Sequence, residues 1–130
     1  MKLAAFSVLV PDYDAAIAFF CQGLGFTLTE DISQGRKRWV TVSPPEQSLR
    51  LVLARADTPA QHAAIGQQGG GRVWLFLQSD DFARDAAKIL AAGGVFEETP
   101  RHEPYGTVAV WRDPFGNRWD LIQPNHQPPS

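Results

Sequence analysis

The same supersecondary pattern is written twice along this chain, and that duplication restricts the fold more than any other feature. The first copy has an apolar run at residues 6–10, an acid at Asp12, a helical stretch carrying Ile17 and Phe20, and the exit Gly25-Phe26. The second has residues 74–77, Asp81, a helical stretch carrying Ala86 and Ile89, and the exit Gly94-Val95. A shift of 69 positions superposes Asp12 on Asp81, Tyr13 on Phe82, Phe20 on Ile89 and Gly25 on Gly94. Repetition at a fixed offset marks a structural unit that buries its apolar face against its twin.

Each copy reads as strand, helix and then three strands. In the first, residues 2–10 are β-rich and Pro11-Asp12 punctuates them. Asp12 or Asp14 caps a helix to about Gly23, with Ile17, Phe20 and Leu24 on one face. Residues 26–32 alternate apolar and polar, residues 38–43 and 49–54 give two further strands, and residues 58–65 a short helix. The second copy places a strand at 72–77, a helix capped near Ser79 or Asp80 and ending at Gly93-Gly94, and a strand at 95–98. A polar loop at 99–106 then leads to a hairpin of residues 107–112 and 119–122, and a fraying tail from Gln123. The expected class is α+β: one domain over residues 1–130, with module 1 at 1–66, a glycine-rich linker at 67–71 and module 2 at 72–123.

Composition excludes several partners. The formal net charge is −2 and no block of like charges occurs, so the electrostatic footprint of a nucleic-acid binder is missing. No apolar stretch approaches the roughly 20 residues of a membrane span. The single Cys21 forms no intrachain disulfide and no signal peptide is visible, so a soluble cytoplasmic protein is expected.

With these elements in place, the chain resembles the vicinal oxygen chelate superfamily, which includes glyoxalase I, extradiol dioxygenases, and fosfomycin- and bleomycin-resistance proteins. The resemblance rests on Val10-Pro11-Asp12, Phe19-Phe20, Leu24-Gly25-Phe26, Ser79-Asp80-Asp81 and Gly93-Gly94-Val95. Its most specific part is the terminal run Asp113-Pro114-Phe115-Gly116-Asn117-Arg118-Trp119-Asp120-Leu121. It implies two βαβββ modules forming a curved mixed sheet around a cavity, and a homodimer. It also implies metal ligands on the first and last strand of each module. Here the first-strand positions are Ala5 and Trp74, and the last-strand positions are Arg50 or Val52 and Asp120. Only Asp120 is a ligand type, so no family metal and no other cofactor is expected, a divalent ion being the alternative.

Other residues then become the candidates. Arg101, His102, Glu103 and Tyr105 gather in the 99–106 segment, where either Tyr105 packs and the charges are solvated around a Pro104-Gly106 turn, or His102 and Tyr105 orient a ligand or move protons. Solvated or locally bonded histidine is the reading for His62 and His126. Counting by twos from Ala5 and Trp74 brings Ser7 and Leu9, and Phe76 and Arg72, to the inward faces, with Trp39 a companion on a neighbouring strand; Trp74 and Phe76 are either ligand walls or cavity filling. Asp120 is either a structural acid or a general base or anchor with a raised pKa. The candidate ligand-binding set is therefore Ser7, Trp39, Trp74, Phe76, Arg101, His102, Tyr105 and Asp120, with His102, Tyr105 and Asp120 also the catalytic candidates. The expected function is binding of a small organic ligand in an aromatic-lined cavity. The alternatives are a lyase or dioxygenase using an atypical metal or acid–base chemistry, and an interaction module without a ligand.

Overall fold

Strands bury every second residue, and the burial pattern of this chain shows which face of each sheet a helix covers. A computed structural model of the chain describes residues 1–125. These residues divide into two units, residues 1–68 and 69–125 among those described, with the boundary inside the glycine-rich stretch expected as a linker.

In the first unit, β1 (Ala5–Val10) leads through the Asp12 cap into α1 (Tyr13–Ile17). The Asp12 carboxylate accepts from the Ala15 amide at 2.8 Å, satisfying a donor that the first helical turn leaves unpaired. The helix then widens to a π-helical segment, Ala18–Gly23, in which the Leu24 amide reaches back to the Phe19 carbonyl. The looser turn buries the consecutive rings of Phe19 and Phe20 together, 5.0 Å apart and edge to face. The buried face is therefore Tyr13, Ala16, Phe19, Phe20 and Leu24, and Ile17, expected on it, is only half-buried.

Three strands follow: β2 (Thr27–Gln34), β3 (Lys37–Ser43) and β4 (Arg50–Arg55). The sheet order is β1-β4-β3-β2, with β1 and β4 parallel and the remaining pairs antiparallel. Val8, Val10, Val40, Val42, Leu51 and Leu53 are buried, and α1 packs on β3 and β4. A short α2 (Pro59–Ala64) closes the unit, capped by Thr58. Gln68 then lies along the open edge of β1, where its side-chain amide accepts from the Leu9 N–H and donates to the Ser7 carbonyl. A stretch expected as a bare linker thus occupies strand-edge hydrogen bonds that would otherwise be unmet.

The second unit repeats the topology. It comprises β5 (Leu75–Gln78), α3 (Phe82–Ala91), β6 (Val95–Phe96), β7 (Arg101–Glu103), β8 (Gly106–Arg112) and β9 (Arg118–Pro124). Its order is β5-β9-β8-β6, with β7 also on β8, and β5 is parallel to β9 as β1 is to β4. Asp81, rather than Ser79 or Asp80 as expected, caps α3, as Asp12 caps α1. The first strand begins at Leu75 rather than at 72, because Gly70 and Gly71 take positive φ and the Arg72 amide turns back to the Gly69 carbonyl.

Two expectations for the C-terminal region need correction. The segment 99–106 is a strand and a tight turn rather than a loop: Arg101, His102 and Glu103 pair with Val108, Thr107 and Gly106. Gly106 permits the hairpin to close onto β9, since a Cβ there would land on the Gln123 carbonyl oxygen. Nor do Gln123 and Pro124 fray. Both belong to β9, and the Gln123 amide oxygen accepts from the Phe82 N–H at 2.7 Å. His126 lies outside the described residues.

Candidate functional site

Register decides which side chains share a face. In the second unit Val108 pairs with Arg101 on one side and Ile122 on the other, and Phe76 pairs with Asp120. Arg101, Val108, Ile122, Asp120 and Phe76 therefore line one face of the sheet, and alternation adds Arg112 and Arg118. This face, open at Phe76 although Val108 on it is buried, lies opposite the one where Trp111, Trp119 and Leu121 are buried. Trp74 precedes β5, but its amide extends the ladder to the Arg118 carbonyl at 2.9 Å, so alternation places the indole on the open face with Phe76. Phe76 is 63% exposed.

Charges on this face are mostly paired. Glu97 receives Arg112 and Arg118, both at 2.9 Å. Glu98 accepts from the Val110 amide and from Arg101, each at 2.8 Å, and Arg101 also reaches Glu103 at 2.8 Å. Arg118 foremost holds the Glu97 carboxyl below the usual carboxylate range, and the Val110 N–H foremost does so for Glu98. Asp120 differs. Its Oδ1 is buried without a hydrogen-bond partner, and burial pushes its carboxyl up while Arg101 and Arg118 oppose the shift.

The catalytic candidates do not converge. His102 pairs with Thr107, so it faces away from the side that carries Asp120, and its Nδ1 lies 3.3 Å from the Thr107 hydroxyl. Tyr105 sits in the β7–β8 turn, 58% exposed, its carbonyl accepting from the Asn125 amide. Among the described residues no hydrogen bond joins His102, Tyr105 and Asp120. The apparent clustering in sequence ignored strand alternation, which sends Arg101 and His102 to opposite faces.

In the first unit, Ser7, Val52, Thr41 and Glu30 align across the open face, and Trp39 and Arg50 join them by alternation. Ser7 is exposed and Trp39 is 37% exposed. Glu30 is the polar centre of this face, accepting from Thr41 at 3.1 Å and Arg50 at 3.0 Å. The Trp39 indole foremost, with Thr41 and Arg50, holds its carboxyl below the ordinary range. Sequence reasoning missed Glu30 and Thr41. Thr41 stood two residues from Trp39, but only the β2–β3 pairing reveals Glu30.

The same register resolves which residue matches Asp120. Ser7 pairs with Val52 as Phe76 pairs with Asp120, so Val52, not Arg50, holds the equivalent place. The four positions at which the resemblance implies ligands are then Ala5 and Val52 in one unit and Trp74 and Asp120 in the other. A methyl, an isopropyl, an indole and one carboxylate do not fit a divalent ion. Among the described residues no group of three or more His, Cys, Asp or Glu side chains is placed to hold a metal, and no helix is long and apolar enough to cross a membrane.

A family model described as the Glyoxalase/Bleomycin resistance protein/Dioxygenase superfamily matches residues 2–121. An uncharacterized protein of Shewanella frigidimarina (strain NCIMB 400) is 49% identical over 126 residues, spanning 95% of this chain and 93% of that protein. Among solved structures, TnmS3, an antibiotic binding protein from Streptomyces sp. CB03234, is 30% identical with a TM-score of 0.72, covering 96% of this chain and 97% of that one. A glyoxalase/bleomycin resistance protein from the same organism is 31% identical with a TM-score of 0.67, covering 94% of this chain and 100% of that one.

Proposed function

Because the chain belongs to the glyoxalase/bleomycin resistance protein/dioxygenase superfamily, we propose that it binds a small organic molecule on the open faces of its sheets without the metal of the family's enzymes. One observation carries this reading: the positions that would grip an ion hold Ala5, Val52 and Trp74, leaving Asp120 alone beside the exposed ring of Phe76. Exposed aromatic rings beside polar and charged groups suit an organic ligand, because the rings supply contact area and the polar groups set orientation. Likeness to the antibiotic binding protein TnmS3 supports the same reading and suggests an antibiotic as a first ligand to try.

The test is a titration of intrinsic tryptophan fluorescence with bleomycin and an anthracycline, alongside metal analysis of the purified protein. Saturable quenching that weakens in Trp39→Ala and Phe76→Ala, with no stoichiometric Zn, Ni, Mn or Fe, is the expected result. Stoichiometric metal that disappears in Asp120→Ala would overturn it. A second reading, lyase- or dioxygenase-type chemistry on a small metabolite, is favoured by the raised Asp120 carboxyl, whose burial moves it toward the range of a general base. Turnover abolished by Asp120→Asn would establish that reading instead.

The same proposal includes a homodimer, which light scattering in solution tests. It also includes a cytoplasmic setting, consistent with a lone Cys21. The net charge of −2 favours a small molecule over nucleic acid as the partner.

A further inference from the structure

The small-molecule reading is the basis for asking what chemical group the ligand must carry. On the open face of the second unit Arg101, Arg112 and Arg118 already have acids: Arg112 and Arg118 share Glu97, and Arg101 is held by Glu98 and Glu103. Asp120 is the surplus charge. It forms no ion pair among the described residues, and its Oδ1 is buried with no hydrogen bond made. Folded proteins leave few buried polar atoms unsatisfied, and an ionised acceptor is the most costly to strand. Its neighbour in register, Phe76, is 63% exposed, the least packed of the side chains beside it. A ligand lying against this exposed ring would stand beside the Asp120 carboxylate and offer the ring an aromatic partner.

We propose that Asp120 is a specificity-determining anchor for an organic cation, an aromatic ligand whose protonated nitrogen donates to the carboxylate while its ring system lies against Phe76. The chemistry follows from what this face lacks. An anion would meet an uncompensated carboxylate, whereas a neutral aromatic would gain the ring contact but leave the charge stranded. A cationic N–H donor satisfies both, and charge-assisted hydrogen bonds are the strong kind. The upward push of burial on the Asp120 carboxyl is the cost that such a ligand relieves.

Three probes separate the contributions: 9-aminoacridine, cationic at neutral pH; 2-aminoanthracene, neutral; and 2-anthracenecarboxylate, anionic. Binding is measured by fluorescence titration and calorimetry on the full chain. The expected order is cation, neutral amine, anion. Asp120→Asn should weaken the cation about tenfold or more and leave the neutral amine within about twofold, while Phe76→Ala should weaken both amines. The wild-type order needs no variant, so it tests the proposal even if a substitution perturbs folding. Equal binding of all three probes, or an Asp120→Asn protein that keeps its affinity for the cation, overturns the anchor while leaving the binding reading intact. Failure of all three probes, and of the antibiotics, to bind would overturn the binding reading and the anchor with it.

Discussion

Replacing Asp113 should destabilise the final hairpin of the second unit, and the cost can be worked from its partners. The carboxylate is 5% exposed and accepts four hydrogen bonds. Oδ1 takes the amides of Phe115 at 2.9 Å and Asn117 at 3.0 Å. Oδ2 takes the Asn117 side-chain amide and the Trp119 indole, both at 3.0 Å. Hydrogen bonds to a charged acceptor contribute about 1.5–3 kcal/mol each, but four sharing one acceptor are not additive. Asp113→Ala strands buried donors on Asn117 and Trp119, each 2% exposed, so a loss of about 3–5 kcal/mol is expected. Asp113→Asn keeps an oxygen for the two backbone amides but turns an NH2 toward the indole donor, so about 2 kcal/mol should be lost. Urea unfolding, followed by far-UV circular dichroism and tryptophan fluorescence, measures both. The second signal is local, because Trp119 stacks on Trp111 with centroids 5.0 Å apart. If the alanine variant unfolds within about 0.5 kcal/mol of wild type, or the asparagine variant costs as much as alanine, the hydrogen-bond reasoning is wrong.

Other perturbations follow from packing and charge. Gly94→Ala would set a Cβ 2.5 Å from Ile89 Cγ2 and 3.0 Å from Trp111 Cε3, so a loss of about 1–3 kcal/mol should appear as a lower thermal midpoint. Asp85 is held below the usual carboxylate range by Arg84 and then by the Ser79 hydroxyl at 2.5 Å. Its contribution is therefore present above the unfolded value of about 4 and lost as pH falls through the folded one. Urea midpoints should accordingly fall less on acidification in Asp85→Asn than in wild type. Asp120 has the opposite sign: burial raises its folded pKa, so the ionised carboxylate opposes folding above that value and the opposition fades as pH falls. Asp120→Asn should therefore be more stable than wild type near neutral pH, with the difference shrinking in acid. A stability loss at neutral pH would contradict the stranded-acceptor argument.

How much of the site was legible differs by residue. Trp74, Phe76 and Asp120 were readable because period-two alternation and a short turn motif fix which face each occupies once the strand is known. His102 was grouped with them because three polar residues, Arg101 to Glu103, carry no β signal of their own and become a strand only through the ladder with β8. Glu30 was invisible for a related reason: in sequence it stood in one series with Phe26, Leu28 and Ile32, and only the β2–β3 pairing, with its register shift between Leu28 and Glu30, set it against Thr41 and Arg50. The π turn at Ala18–Gly23 likewise left no mark in the helical periodicity beyond two adjacent phenylalanines.

Sequence alone determined the duplicated order of strand, helix and following strands, the capping acid Asp12, and the residue types Ala5 and Trp74 at two positions where the resemblance implies ligands. Those are local matters of periodicity, capping and residue type, which a chain carries wherever it folds. Tertiary structure decided what depends on partners distant in the chain: that Val52 rather than Arg50 matches Asp120, that His102 turns from it, and that one Asp120 oxygen is left without a hydrogen bond. Register between strands is set by the whole sheet, and a shift of one residue would send every one of these side chains to the other face.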